Sequence, residues 1–266
     1  MATGERGRML AAERHRRIVE LLEHQSSVLV TDICEECGVS AVTVRADLDY
    51  LEGEGRLKRT HGGAVPVSTY VIPRVSERVR KNARAKQAIA ALAAERVSDG
   101  EMILVGSGST TLEFVRALRN KRDLTIITNS CHVLEYAEQH LHEATVMSTG
   151  GALEREYRHY YGPLLAASLT DVYVDEVFLG ADGFEPSFGF LAEYEQTAYA
   201  KVEFLRHART RTVLMDATKV GPGRSFARFA KPDEVDLVIM DADPGGLVGA
   251  ACNAGERAVE VIEARA

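Results

Sequence analysis

Tryptophan is absent from this chain of 266 residues, prolines number seven and cysteines four, and no apolar run approaches the ~18 residues a membrane-spanning helix needs. The last absence excludes a spanning helix and leaves no expected membrane partner. Cys34, Cys37, Cys131 and Cys252 are too few and too scattered for a disulfide framework in a chain of this length, so reduced thiols are expected. Cys34 and Cys37 do form a CxxC, but no second CxxC or HxxxH pair lies nearby in sequence to complete a tetrahedral zinc site. Plain packing is the expectation there, with no metal and no cofactor. The N-terminal MATGERGRML is charged and lacks an apolar segment ahead of a small-residue cleavage site, so a cytoplasmic address is expected. What is present, 45% hydrophobic and 27% charged residues, implies an ordinary packed core.

The formal net charge of -7 is unevenly placed. From Glu54 to Lys86 there are nine Lys/Arg against two Asp/Glu, a local +7, which leaves the other residues at -14. Such asymmetry fits either a polyanion-facing segment on an acidic body or the solvated face of a linker helix.

The chain up to about Val67 reads as three short helices and a hairpin. In RHRRIVELLEHQ, Ile18, Leu21 and Leu22 recur at helical spacing, and in VTDICEECG either Thr31 or Asp32 stands where a cap would precede Ile33 and Cys34. Gly38 ends that helix. Ser40 caps the next, along which Val44, Leu48 and Leu51 follow at i, i+4 and i+7. Two helices joined by so short a turn form a helix-turn-helix. Gly55 then closes the helix, Leu57 starts a strand, and Gly62-Gly63 makes the tight turn of a wing. Pro66 and Pro73 flank a linker, and a basic helix from Arg78 to Arg96 leads onward.

A helix beginning at Ser40 presents Ala41, Thr43, Arg45 and Ala46 from its first turns while burying its apolar stripe. Arg45 offers a guanidinium fork to guanine or phosphate; Ser40 and Thr43 offer hydroxyls to phosphate. On the wing, Arg56, Lys58, Arg59 and His61 provide a grip on the DNA backbone that carries no sequence information. Residues 1–68 hold nine Lys/Arg against eleven Asp/Glu, so a protein-binding module is the competing reading.

From about residue 100 the runs MILVG, LTIITNS, ATVMSTGG, VDEVFLGADG, TVLMDATK and VDLVIMDAD alternate with helix-like segments. The fold class is α/β: a Rossmann-like parallel sheet with helices on both faces, whose ligands sit beyond the C-terminal strand ends. VGSGSTT, residues 105 to 111, follows the first such strand, and there Ser107, Gly108, Ser109, Thr110 and Thr111 offer backbone and hydroxyl donors to a phosphate. It lacks the third glycine of GxGxxG and the Gly-Lys-Ser/Thr of a P-loop; no GxSxG elbow occurs either. Later strand ends carry Asn129 and Ser130, Gly150 and Gly151, Asp182, and Asp216 with Lys219. Singly each is an ordinary turn. Together they outline a pocket for a small phosphorylated polyol, with Lys219 meeting phosphate and the Asp and Asn side chains meeting hydroxyls. EYRHYYG, residues 156 to 162, is aromatic and basic enough to line either a pocket or an interface.

VSAVTVRADLDYLEGEGRLKRTHGGA, residues 39 to 64, resembles the winged helix-turn-helix of the DeoR family of bacterial transcription regulators, whose pattern runs VSxxTIRRDLxxLxxxGxLxRxHGGA. Ala46 stands where the second arginine of the pair usually sits, which puts more weight on Arg45. The second half is similar to the family's sensor domain, itself related to ribose-5-phosphate isomerase, in Gly108, Thr110, Thr111, Asn129, Ser130, Gly150, Gly151, Gly162-Pro163, Gly180 to Gly183, Asp216 and Lys219. Gly106 replaces the family's usual Asp, and GFLA at 189 to 192 replaces Gly-Leu-Thr-Thr. The resemblance implies a DNA-binding domain over 11–68, a linker and basic helix over 69–98 and a sensor domain over 99–263. It implies a regulator, usually a repressor, of a carbohydrate-metabolism operon, with double-stranded operator DNA and a phosphorylated sugar effector as partners. Paired operator half-sites require a homodimer or homotetramer. In the related isomerases an acid follows the Gly-Ala-Asp, whereas here Gly183 follows, so binding without turnover is expected. The alternatives are a sugar-phosphate isomerase-like enzyme and a protein-interaction module on a degenerate isomerase fold.

Overall fold

The computed structural model describes residues 9–24, 27–60, 62–66, 78–223, 225–255 and 257–264. The chain divides between Ser76 and Glu77 into two compact units.

In the first unit, α1 (Ala11–His24) is followed by β1 (Val28–Leu29), α2 (Val30–Cys37), α3 (Ala41–Gly53), β2 (Leu57–Thr60) and β3 (Gly63–Pro66). The apolar stripes meet as anticipated. Ile18 and Leu22 of α1, Ile33 and Cys37 of α2, and Val44, Leu48 and Leu51 of α3 enclose one core, closed below by Val28, Leu57 and Ala64. Cys37 is therefore a packing residue, and burial pushes its thiol up from the ordinary value. A second bond network ties the helices: Asp47 on α3 accepts from Arg14 Nε at 2.8 Å and Nη2 at 2.9 Å, and lies 2.9 Å from His15 Nε2. Burial works to raise the Asp47 carboxyl, but Arg14 and His15 outweigh it and hold the group below its usual range.

A carboxyl lowered on folding stabilises the protein above its unfolded pKa of about 3.9, and that stability is lost as pH falls through the lower folded value. Asp47→Asn is therefore expected to cost about 1.5–3 kcal/mol at neutral pH. The variant and the parent should converge as pH falls through that lowered folded value, which denaturant titrations at neutral and acid pH would check.

Two local expectations are corrected here. Neither Thr31 nor Asp32 caps α2: the helix starts at Val30, and its first N–H donates to the Gly62 carbonyl at 2.9 Å, so the wing supplies the partner a side chain would otherwise provide. Gly63 is not in the wing turn but pairs with Thr60 and Leu29 as the first residue of β3. A Cβ on it would lie 1.9 Å from the Val28 carbonyl oxygen, so the close approach of β1 demands glycine.

The second unit opens with helical residues at 78–80, then runs through α4 (Ala83–Arg96), β4 (Met102–Val105), α5 (Ser109–Ala117), β5 (Thr125–Thr128), α6 (Cys131–His140) and β6 (Thr145–Ser148). A hairpin of β7 (Ala152–Glu154) and β8 (His159–Tyr161) follows, then α7 (Pro163–Leu169), β9 (Val174–Gly180), β10 (Gly183–Glu185), β11 (Gly189–Ala192) and α8 (Glu195–Arg206). The chain finishes with β12 (Ala208–Leu214), β13 (Ala227–Ala230), β14 (Leu237–Met240), α9 (Leu247–Cys252) and β15 (Glu260–Glu263). The expected continuous basic helix is broken. Asn82 sits in the left-handed region at φ 56°, ψ 37°, where Asn is better tolerated than most residues, and its amide is tied to Asp216 and Thr218.

Seven strands form one sheet in the order β15-β14-β12-β9-β4-β5-β6, every neighbouring pair parallel. Alternate side chains face opposite layers. Ile103, Val105, Ile126, Phe178, Leu214 and Ile239 pack under α4, α5 and α6, while Leu104, Ile127, Val177, Leu179, Val213 and Val238 pack under α7, α8 and α9. Both faces are thus covered, as a parallel sheet requires. All seven C-terminal strand ends lie along one edge, onto which a small antiparallel sheet of β10, β11 and β13 is built beside β9. Among the described residues, no helix is long and apolar enough to cross a membrane.

Candidate functional site

Gly38, at φ 64°, reverses the chain after α2, and its N–H closes on the Cys34 carbonyl at 2.9 Å. Three residues, 38 to 40, separate α2 from α3. Ser40 Oγ accepts from the Thr43 N–H at 3.3 Å and lies 3.0 Å from the Thr43 hydroxyl, so these two hydroxyls cap the helix and one another. With Val44, Leu48 and Leu51 buried, the opposite stripe of α3 is exposed: Val42, Arg45, Ala46 and Asp49, at i, i+3, i+4 and i+7. Arg45 has no ion-pair or hydrogen-bond partner among the described residues. Val42, which the sequence did not single out, is 74% exposed on this stripe.

The wing side chains divide. Arg56 is exposed, and Lys58 stands on β2 with its side chain outward. Arg59 differs from expectation: its guanidinium pairs with Asp49 of α3 and its N–H donates to Glu52 at 2.8 Å. It braces the wing against the helix, so its charge is already partly answered. His61 lies outside the described residues.

At the sheet edge the chain turns after β4 through Gly106, Ser107 and Gly108 into the N-terminus of α5, whose first-turn N–H groups have no partner within the helix. Ser107, Gly108 and Ser109 are at least partly exposed. Thr110 and Thr111 are buried, and the Thr111 hydroxyl donates to the Gly106 carbonyl at 2.7 Å, so it shapes the loop from within. Asn129 is likewise turned inward: its carbonyl accepts the Ser107 N–H at 3.1 Å and its amide donates to Tyr160 at 2.9 Å. Ser130 caps α6 by accepting from the Val133 N–H at 3.3 Å. Asn129 thus ties the loop after β4 to β8, while Thr111 and Ser130 close their own loop and helix start. Gly150 and Gly151, at φ 64° and 120°, are there for conformation, because a Cβ on Gly151 would stand 2.5 Å from the Tyr161 carbonyl oxygen.

Charge, not hydroxyls, dominates the rest of the edge. Asp182 pairs with Arg78, lies 4.0 Å from Lys201 Nζ, and accepts the Glu193 N–H at 3.2 Å. Arg78 also faces Glu193 at 3.7 Å. Lys201 is only 4% exposed, and burial pushes its ammonium below the ordinary lysine range. Burial opposes ionisation of Asp182 too, but Lys201 and Arg78 prevail and hold it below the usual carboxylate range. Lys86, donating to the carbonyls of Arg78 and of Lys81, the latter at 2.7 Å, is pushed down to about 8 by burial. Asp216 accepts from the Asn82 amide at 3.0 Å and from the Thr218 N–H at 3.1 Å. Lys219 is half-buried with its ammonium unpaired among the described residues. Arg78, Lys86, Lys201 and Lys219 thus stand against Asp182, Glu193 and Asp216.

Such an edge attracts an anion. It is poorly made for abstracting protons, because Asp182 is strongly ionised and doubly paired. A Cβ on Gly183 would lie 3.1 Å from Ser225 Cβ, so an acidic side chain there requires this loop to move. Arg78 and Lys201 were missed from the sequence. Arg78 stood only as the start of a basic helix, and Lys201 lies in an amphipathic segment where nothing but burial distinguishes it.

EYRHYYG resolves as well. Tyr157, His159 and Tyr161 line a cavity of ≈ 250 Å³ with Glu154, Glu156, Tyr194, Gln196 and Thr197.

A winged helix-turn-helix joined to a parallel α/β unit with a cation-rich strand edge defines a DNA-binding regulator with a ligand-sensing domain. The DeoR C terminal sensor domain matches residues 81–242, and the DeoR-like helix-turn-helix domain matches residues 14–69. The HTH-type transcriptional regulator GlpR of Haloferax volcanii is 33% identical over 88% of this chain and 91% of its own length. The HTH-type transcriptional repressor GlcR of Bacillus subtilis is 30% identical over 89% of this chain and 90% of its own. A structure of ribose 5-phosphate isomerase A from Methanocaldococcus jannaschii overlays 53% of this chain and 55% of that one, at 23% identity and a TM-score of 0.39. The chain belongs to the DeoR family of transcriptional regulators, and is a regulator rather than an enzyme.

Proposed function

We propose that this regulator represses a carbohydrate-metabolism operon by binding operator DNA as a homodimer or homotetramer, and that a phosphorylated sugar at the sheet edge controls that binding. The observation carrying the first part is Arg45, exposed and without a partner among the described residues, on a helix stripe it shares with Val42, Ala46 and Asp49. Arg45 reads guanine or grips phosphate, Val42 and Ala46 meet thymine methyl groups, and Ser40, Thr43, Arg56 and Lys58 hold the backbone. His61 is proposed on sequence alone, and Arg59 contributes after its bond to Asp49 yields.

For the effector, support comes from four cations facing three carboxylates beside the free N–H groups of α5. Phosphate accepts from Ser107, Gly108, Ser109 and Thr110, with Lys219 as its cation. A sugar hydroxyl donating to Asp182 competes with Arg78, which precedes α4 on the chain coming from the DNA-reading unit. Ligand acts only through unequal affinity for two such arrangements. Gel shifts on the DNA upstream of the protein's own gene, with and without pentose and hexose phosphates, test the reading. Lys219→Ala is expected to keep the shift and lose its sensitivity to sugar phosphate. Binding to that DNA is expected to weaken steeply with salt, and a flat salt response would favour a protein-interaction module.

A further inference from the structure

The cavity beside β8 is used by neither the DNA-reading stripe nor the phosphate loop, and it contains an anomaly. His159 is 2% exposed, and both of its ring nitrogens lack a hydrogen-bond partner among the described residues. Buried polar groups are ordinarily paired, and among the described residues both nitrogens are covered without a partner, so a small shift of the ring or its neighbours would bring an orphaned imidazole into the wall of the cavity. Burial pushes its pKa down to about 4, so it is neutral at physiological pH and offers one donor and one acceptor. Hydroxyls satisfy both roles.

The other walls narrow the chemistry. Glu154 and Glu156 disfavour an anion inside. Tyr157, Tyr161 and Tyr194 supply flat apolar faces, with Tyr157 and Tyr161 each 6.4 Å from the imidazole between ring centres. Gln196 and Thr197, from the first turn of α8, add polar groups on the far side. A volume of ≈ 250 Å³ falls below the roughly 300–1,000 Å³ of pockets for drug-sized ligands, which suits one small unit. Tyr157 links the cavity wall to the charged edge: its hydroxyl donates to that of Tyr194 at 3.0 Å, and the Arg78 guanidinium lies 5.7 Å from its ring centre while pairing with Asp182.

We propose that this cavity is the specificity subsite of the effector site, taking the uncharged polyhydroxyl body of a single sugar while the cations of the sheet edge hold its phosphate outside. The proposal rests on the phosphosugar reading above and adds to it an orientation and a residue, His159, that selects among sugars by their hydroxyls. Sugars differing only in one hydroxyl near the imidazole should then differ in affinity, because an unmatched buried polar group is costly.

The full chain is titrated calorimetrically with inorganic phosphate and with monophosphates of a ketohexose, an aldohexose and a pentose. The parent is expected to bind at least one ester more tightly than inorganic phosphate. His159→Phe should weaken that ester roughly tenfold or more, toward the phosphate value, and leave inorganic phosphate unchanged. His159→Gln, which restores a donor and an acceptor, should recover most of the loss. Thr197→Leu, filling the cavity from α8, should reproduce the loss without touching the imidazole, and unchanged operator binding by each variant reports intact folding. If an ester bound by the parent binds His159→Phe and Thr197→Leu equally well, the subsite is wrong and the phosphosugar reading stands. If no ester exceeds inorganic phosphate on the parent, the effector reading itself falls, and the subsite with it.

Discussion

Arg45→Glu is expected to abolish the shift of upstream DNA at salt concentrations where the parent binds fully. Arg45→Ala removes one bidentate or phosphate contact, worth about 1–3 kcal/mol, a loss of roughly five- to 150-fold in affinity. Glutamate adds a negative charge against the groove and should exceed that range. Thermal stability should change little in either variant, because Arg45 is exposed and no partner in the described residues depends on it. Fluorescence anisotropy with a labelled duplex, beside a melting curve of the same preparation, separates lost recognition from lost fold. Retained affinity in Arg45→Glu would remove α3 from the DNA interface.

The second large effect concerns stability. Asp182→Asn leaves Lys201 buried at 4% exposure without its carboxylate, and Arg78 with Glu193 alone, at 3.7 Å. Removing one partner from a buried charged set costs about 3–5 kcal/mol. The pH dependence has a definite sign. The folded Lys201 already titrates below the ordinary lysine range, and without Asp182 it falls further. A lysine lowered on folding binds fewer protons folded than unfolded, so stability rises with pH between its folded and unfolded values. The deficit of Asp182→Asn should therefore shrink as pH is raised toward about 10, the ordinary lysine pKa. Denaturant unfolding at neutral and alkaline pH measures it, and a deficit independent of pH would mean that Lys201 is not the group left stranded.

These two sites differ in how readily the sequence disclosed them. The exposed stripe of α3 depends on local spacing: a cap at Ser40, an apolar residue every third or fourth position, and a glycine on either side. Such features operate within one or two helical turns, and the family pattern over residues 39 to 64 reinforces them. Alternating strands and helices similarly announced the parallel sheet. Its edge strand β15 went unread because EVIE is short and half polar, and β10, β11 and β13 because their pairing joins segments up to about forty residues apart.

Strand-end polar residues carry a double reading for a definite reason. Asn, Ser and Thr at the end of a parallel strand can face a ligand or the next loop, and the sequence is the same in either case. Asn129 bridges Ser107 and Tyr160, and Thr111 closes on Gly106, because adjacent strand ends have backbone groups that need partners. Long-range charge pairing was equally hidden. Arg78 and Asp182 are separated by 104 positions, and only the crossing of the chain before α4 over the end of β9 brings them together.

Local chemistry by itself therefore determined the helix-turn-helix, the exposed stripe of its second helix, the parallel sheet and the edge formed by its C-terminal strand ends, since each follows from periodicity and turn residues acting over a few positions. Only the tertiary structure decided which polar side chains serve the fold and which remain open, that Arg78 and Lys201 surround Asp182, and that His159 stands unpartnered in an aromatic cavity. Burial and pairing are properties of neighbours far apart in the chain, and no short window of sequence contains them.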